Sequence, residues 1–334
     1  NGNLVNSHTL RKEIEAQGQF FPVFHTTTDT EIILYLVARS VNLEKGLKQA
    51  MNMIKGAFSL LFLTPTELIA VRDPQGFRPL VLGKKGSAWC VASETCAFDL
   101  QKVEYQRDIE PGEIVIIDKN GPRSERYLPK KDCKPAHCIF EHVYFARPDS
   151  RVHGDLVQGV RHRLGQQLAR EHPVEAAFVT PIPDSGVYPA QGYAEEAKIP
   201  YKQAYVRNHY VGRTFIQPSQ DQRASNVDIK LAVIPDMVRG KRVIVIDDSV
   251  IRGTTSRSRI RHLRDAGAKE VHLRVSCPPT RNPCYYGIDF PDPKELVASN
   301  HTIEEIRKHI GVDTLGYLSI AGMLSAVSNP ADHY

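Results

Sequence analysis

Apolar positions change their period along the chain, and each change marks a different kind of element. Residues 30–40 and 43–55 carry apolar side chains at three- and four-residue intervals, which predicts two helices. Short apolar runs follow at 57–63, 67–72, 79–83 and 88–92. They are separated by Thr64-Pro65, Asp73-Pro74-Gln75-Gly76 and Lys84-Lys85-Gly86, so they predict antiparallel strands joined by hairpins. Helices followed by a meander imply a layered α+β domain over residues 1–135. From about residue 136 the pattern alternates between β and α. Leu156, Val160, Leu164 and Leu168 share one helical face, and Pro173 follows that helix. Residues 176–180 predict a strand, which leads through Pro181-Ile182-Pro183-Asp184-Ser185-Gly186 into a helical stretch ending at Lys198 and a strand near 201–206. An α/β domain with a parallel sheet is expected over 136–294. Residues 295–334 predict a polar-faced helical segment that packs against another subunit.

The most informative stretch begins at Lys241. Val243, Ile244, Val245 and Ile246 are four consecutive β-branched residues, enough for a buried parallel strand, and they run directly into Asp247 and Asp248. After the turn, Thr254 and Thr255 open a helix with Ile260 and Leu263 on one face and Gly267 at its end. Open N–H groups at that helix start, close backbone approach at Gly253, and the side chains of Ser249, Arg252, Thr254 and Thr255 suit a phosphate. The two carboxylates repel phosphate. They suit a sugar diol, a Mg²⁺ ion, or both.

Composition adds modest bounds. The 334 residues allow about two domains, and a formal net charge of +5 suits an anionic substrate. Lys and Arg are dispersed rather than gathered in a tail, so no nucleic-acid partner is expected. No apolar run approaches the length of a membrane span, and the start lacks a signal-peptide pattern, so a cytoplasmic enzyme without a membrane partner is expected. The six cysteines form no C-x-x-C pair.

The stretch from 243 to 255 resembles the signature of the type I phosphoribosyltransferases, whose ligand is 5-phosphoribosyl-1-pyrophosphate. The resemblance implies that Asp184, Ser185 and Gly186 approach pyrophosphate, and that Ser185, Asp247 and Asp248 associate with Mg²⁺. Asn208-His-Tyr-Val-Gly-Arg-Thr-Phe-Ile-Gln-Pro218 resembles the loop that folds over the substrate, with Gly212 as hinge and Arg207 and Arg213 reaching phosphate oxygens.

A second resemblance lies upstream. Asn1-Gly-Asn-Leu-Val-Asn6, Thr28-Asp-Thr-Glu31, Arg72-Asp-Pro-Gln-Gly-Phe-Arg-Pro-Leu80 and Ala92-Ser-Glu94 resemble the glutaminase domain of N-terminal-nucleophile amidotransferases. It implies that Asn1 and Gly2 donate to the glutamine oxyanion and that Asp29 holds the amino group. The nucleophilic Cys of that family is expected upstream of Asn1, and none of the six cysteines here is assigned its role.

In this order the two halves resemble the glutamine phosphoribosylpyrophosphate amidotransferases. Glu141-His-Val-Tyr-Phe-Ala-Arg-Pro-Asp-Ser150 and Cys284-Tyr-Tyr-Gly-Ile-Asp289 match as well. The resemblance implies transfer of glutamine-derived ammonia to C1 of the sugar, purine nucleotides as feedback inhibitors, and a homo-oligomer of two or four subunits. Some members carry a [4Fe-4S] cluster. Cys138 and Cys284 stand where two ligands fall, with the other two expected beyond Tyr334, so the cluster is expected of the intact protein rather than of these residues alone. Two other readings stay open: a non-catalytic sensor of the sugar pyrophosphate, and another amidotransferase of the same glutaminase class.

Overall fold

A computed structural model describes residues 2–17, 28–207, 231–288 and 292–334. In the first half, five strands form an antiparallel sheet in the order Gly2–Leu4, Gly56–Leu63, Leu68–Arg72, Glu113–Asp118, Gly121–Arg126. The two-residue alternation of a strand sorts its side chains. Ile69, Val71, Ile114 and Ile116 face the helices Ser7–Ala16, Asp29–Ala38 and Leu43–Met53, whereas Ala70 and Val115 pack on Leu80, Leu82 and Ile109. Leu82 belongs to a second sheet, of order Ala88–Ala92, Val81–Lys85, Glu104–Asp108. The layers are therefore helices, sheet, sheet. The two expected helices and four expected strands occur within two residues of their anticipated bounds. Four further strands, Gly2–Leu4, Glu104–Asp108, Glu113–Asp118 and Gly121–Arg126, were not anticipated, and two of them, Glu-Tyr-Gln-Arg-Asp and Gly-Pro-Arg-Ser-Glu-Arg, carry too little apolar alternation to be read.

The second half holds a parallel sheet of order Phe178–Pro181, Arg242–Asp247, Glu270–Val275, Thr314–Tyr317. Val243 to Ile246 are fully buried at its centre, as a continuous β-branched run in a sheet covered on both faces requires. Helices Val157–Glu171 and Val187–Ala197 cross at backbone contact: a Cβ on Gly192 would lie 2.0 Å from the His162 carbonyl oxygen, and one on Gly165 1.9 Å from that of Pro189.

The tail departs from the helical expectation. It contains short helices, but Thr314–Tyr317 is the fourth strand of the parallel sheet, and Ile306, Ile310, Val312, Leu318 and Val327 join the core of the second half. Those apolar residues are buried within this chain, while Ile320 stays exposed.

The two halves meet over a polar seam. Arg72, buried, donates to the carbonyls of Arg78 (3.0 Å), Gly76 (2.9 Å) and Ile109 (2.6 Å), and its Nη2 lies 3.3 Å from His153 Nδ1. His153 stacks on His137 at 3.9 Å, with His142 and His333 set obliquely beside them. Burial lowers the His142 pKa to about 4 and that of His153 well below its usual value. Burial also raises Asp73 to about 6 and Glu141 to about 7 against the pull of Arg72 and Arg78.

Two stability predictions follow from these contacts. Gly192→Ala forces the helices apart and should cost roughly 1–3 kcal/mol, read as a lower thermal midpoint. A histidine with a depressed folded pKa contributes stability above its unfolded pKa of about 6.5 and loses it as pH falls toward the folded value. The raised carboxylates act with the opposite sign, contributing at low pH and losing that contribution as pH rises through about 6 to 7. Replacing His142 by Phe should therefore reduce the fall in stability between about pH 6.5 and 4 by roughly 2–3 kcal/mol relative to the parent, measured by denaturant unfolding across pH.

Candidate phosphoribosyl and glutaminase sites

At the carboxyl edge of the parallel sheet opens a cavity of about 1220 Å³. Such edges are where loops of open α/β sheets gather ligands. The strand Arg242–Asp247 delivers Asp247 and Asp248 there; both line the cavity although they are only 3% and 5% exposed. Asp248 accepts hydrogen bonds from the hydroxyls of Ser185 and Ser249, and Asp247 accepts one from Ser256 Oγ at 3.5 Å. Arg259 Nη1 stands 3.8 Å from Asp247 Oδ2. Desolvation, and secondarily the Asp248 charge, hold the Asp247 pKa well above the usual carboxylate range. Two buried, adjacent carboxylates favour a cation or hydroxyl donors against them.

Beyond the pair, Gly253 adopts φ 76°, a left-handed conformation that glycine enters without penalty, and caps the 12-residue helix Thr254–Asp265. Ser249, Arg252, Gly253, Thr254 and Thr255 all face the cavity, and the first-turn N–H groups of that helix open toward it. On the other side lie Asp184 and Ser185, after the strand Phe178–Pro181. Gly186 is not on the cavity wall; its α-carbon packs beneath the loop, where a Cβ would come within 2.5 Å of the Ile246 carbonyl oxygen. Arg207 reaches the cavity and pairs with Asp184, and Arg252 pairs with Glu295, so two of its cations already have carboxylate partners. Arg213 and Gly212 lie outside the described residues.

Sequence reasoning missed part of the wall. Tyr144, Phe145, Arg147, Arg161, Tyr188 and Arg259 line the same cavity. The first three fall in the junction motif Glu141–Ser150, which was noticed but given no role. Arg161 carried no signal beyond its place beside a helical apolar face.

In the first half, Gly2 sits in the edge strand opposite Phe58, and Asp29, the first residue of its helix, accepts the Leu4 N–H at 2.7 Å through Oδ2. That bond ties Asp29 to the strand bearing Gly2. Asn1 lies outside the described residues. The two halves touch here too: Asn3 Nδ2 donates to the Tyr285 carbonyl at 2.9 Å, and Gly287 packs on the Gly2 backbone and lines the cavity. Cys138 and Cys284 approach closely enough for the charge of Cys284 to act on Cys138, whose thiol burial pushes up to about 11. No group of three or more His, Cys, Asp or Glu side chains suited to a metal occurs among the described residues, and no described helix is long and apolar enough to cross a membrane.

The known proteins most relevant to this geometry agree on its class. Residues 1–99 match the glutamine amidotransferase domain and residues 153–312 the phosphoribosyl transferase domain, so the chain joins a glutaminase-type unit to a phosphoribosyltransferase-type unit. Amidophosphoribosyltransferases from Bacillus subtilis and Methanocaldococcus jannaschii are each 47% identical, over 99% and 98% of this chain and 69% and 72% of their own length. The solved B. subtilis glutamine phosphoribosylpyrophosphate amidotransferase, complexed with ADP and GMP, superposes with a TM-score of 0.91 over 98% of this chain and 72% of that one. The chain belongs to the amidophosphoribosyltransferase family. It spans 56% of a chloroplastic relative from Arabidopsis thaliana.

The Arg252–Glu295 pair yields a prediction. Both side chains are half exposed, so the pair is worth little and is easily exchanged. Glu295→Gln should tighten ribose 5-phosphate binding by up to about fivefold at low salt, by calorimetry, with the gain fading at high salt.

Proposed function

We propose that this protein transfers glutamine-derived ammonia to C1 of 5-phosphoribosyl-1-pyrophosphate, giving 5-phosphoribosylamine, pyrophosphate and glutamate, the first step of de novo purine synthesis. The observation that carries the reading is the buried Asp247–Asp248 pair facing the phosphate cradle across one cavity. In this reading Gly253, Thr254 and Thr255 hold the 5-phosphate through backbone and hydroxyl donors. Asp247 and Asp248 face the ribose hydroxyls, while Ser185, Asp184 and Arg207 stand at the pyrophosphate.

The donor set fits Mg²⁺, which typically takes one or two protein carboxylates and completes its shell with water and substrate phosphate; burial and the Asp248 charge raise the Asp247 pKa, and a cation would oppose both. Asp247 and Asp248, with Ser185 beside them, would hold the ion, and bound Mg²⁺ would neutralise charge on pyrophosphate. The protein's own contribution is positioning and fixed charge. As the C1 bond to pyrophosphate lengthens, the sugar gains oxocarbenium character and Arg207 stabilises the departing anion. Neutral ammonia needs no base to attack, so exclusion of water by the cavity wall protects the activated sugar.

For the glutaminase half, the reading gives Asn1 and Gly2 to the oxyanion and Asp29 to the glutamine amino group, with Asp29 steadied by the Leu4 N–H. Cys138 and Cys284 would supply two of the four thiolates of a [4Fe-4S] cluster. Cytoplasmic location, a homo-oligomer and purine-nucleotide inhibition complete the proposal; the B. subtilis relative's complex with ADP and GMP supports the last.

With ammonia as donor, the protein should release pyrophosphate from phosphoribosyl pyrophosphate in a Mg²⁺-dependent reaction. Asp248→Asn should lower that rate by roughly 10²–10³-fold, by analogy with removal of a transition-state electrostatic partner. Binding without turnover would instead indicate a sensor.

A further inference from the structure

We propose that Glu94, a glutaminase-domain carboxylate, is a positioning residue for the phosphoribosyl cavity. The inference rests on the proposed function above. Glu94 follows the strand Ala88–Ala92, and its Oε2 accepts hydrogen bonds from the Arg147 N–H and from Ser150 Oγ, both at 2.8 Å. The next residue, Thr95, accepts the Arg151 N–H on its hydroxyl, also at 2.8 Å. All three donors belong to one turn of the phosphoribosyltransferase half. That turn is the continuation of the cavity wall, in which Ala146, Arg147 and Pro148 face the ligand space.

The same wall is also held by two cations, of which Arg78 of the glutaminase half pairs with Glu141 at 2.9 Å and lies over the Phe145 ring. Arg161, only 4% exposed, donates to the carbonyls of His142 (2.7 Å), Tyr144 (2.9 Å) and Ala146 (2.8 Å). Residues 141–151 are thus gripped by Arg161 from their own half and by Arg78, Glu94 and Thr95 from the other domain, with Glu94 and Thr95 accepting the N–H groups of Arg147 and Arg151. Charged hydrogen bonds of this kind are about twice as strong as neutral ones and fix direction as well as distance. The segment they hold is short and contains a single π-helical turn, Glu141–Phe145, an irregular element with little ladder of its own to set its path. Removing Glu94 leaves the Arg147 N–H without its acceptor and frees the wall to drift. Drift of about 1 Å in a positioning surface can cost on the order of 10²-fold in rate.

The test uses ammonia-dependent pyrophosphate release by the intact protein, which needs no glutaminase turnover. Glu94→Ala should raise KM for phosphoribosyl pyrophosphate, or lower kcat, by roughly ten- to a hundredfold. Glu94→Gln keeps a carbonyl oxygen for the same donors and should recover most of the loss. Glu113→Gln is the control: Glu113 is a buried carboxylate bonded to Arg107, Ser124 and the Glu110 N–H wholly inside the glutaminase half, so it should lower the thermal midpoint while leaving KM and kcat unchanged. If Glu94→Ala leaves both parameters at the parent value, or if Glu113→Gln shifts them equally, Glu94 does not position the cavity. If the parent protein itself releases no pyrophosphate, the proposed function falls, and this inference with it.

Discussion

The desolvated pair Asp247 and Asp248 is the constraint on which the rest of the second half depends. Two adjacent carboxylates at the end of a fully buried strand are costly, and the surrounding hydroxyls of Ser185, Ser249 and Ser256 offset only part of that cost. Burial, and secondarily the Asp248 charge, therefore hold the Asp247 pKa above the usual carboxylate range. A ligand that brings hydroxyl donors and countercharge removes the same penalty. In the proposed function, the destabilised arrangement would give binding selectivity for a sugar carrying a metal-associated pyrophosphate.

Holding such a pair in place requires a rigid sheet around it. The neighbouring strands Phe178–Pro181 and Glu270–Val275 bond to both edges of the motif strand, and the Asp247 carbonyl accepts the Ser276 N–H. The glycine crossing of the two helices over the sheet extends the same principle, since close backbone contact leaves little slack. The seam between the halves is built differently. Arg72 and Arg161 each brace their own half through carbonyl oxygens, and the seam itself is crossed by Arg147 N–H and Ser150 Oγ on Glu94, by Arg151 N–H on Thr95, by the Arg78–Glu141 pair and by Arg72 against His153. That geometry puts Glu94 and Thr95 against one wall of the cavity, and Gly2 and Asn3 against the loop that forms another.

Legibility in the sequence followed the physics of each part. The motif from 243 to 255 was readable because its constraints are local: a β-branched run must be buried, carboxylates must end it, and a glycine must open the helix. The helices at 29–38 and 43–53 and the meander strands were readable for the same reason, since one face of each is apolar. The strand Thr314–Tyr317 was not, because Thr-Leu-Gly-Tyr gains its identity from the neighbouring strand Glu270–Val275 rather than from its own pattern. Arg161 and Arg259 were equally silent, and Glu94, though part of the Ala92-Ser-Glu94 motif, gave no sign of its partners. Their partners lie 12 to 56 residues away, some of them across the domain seam, and long-range bonding leaves no periodic trace.

The central claim is that Asp247 to Thr255 seats a ribose-phosphate, and hydrogen exchange measures it most directly. Amides of residues 249–257 should be protected when phosphoribosyl pyrophosphate and Mg²⁺ are added together, with Mg²⁺ alone giving little effect. Unchanged exchange across that loop and helix start, at ligand concentrations that saturate turnover, would contradict the account.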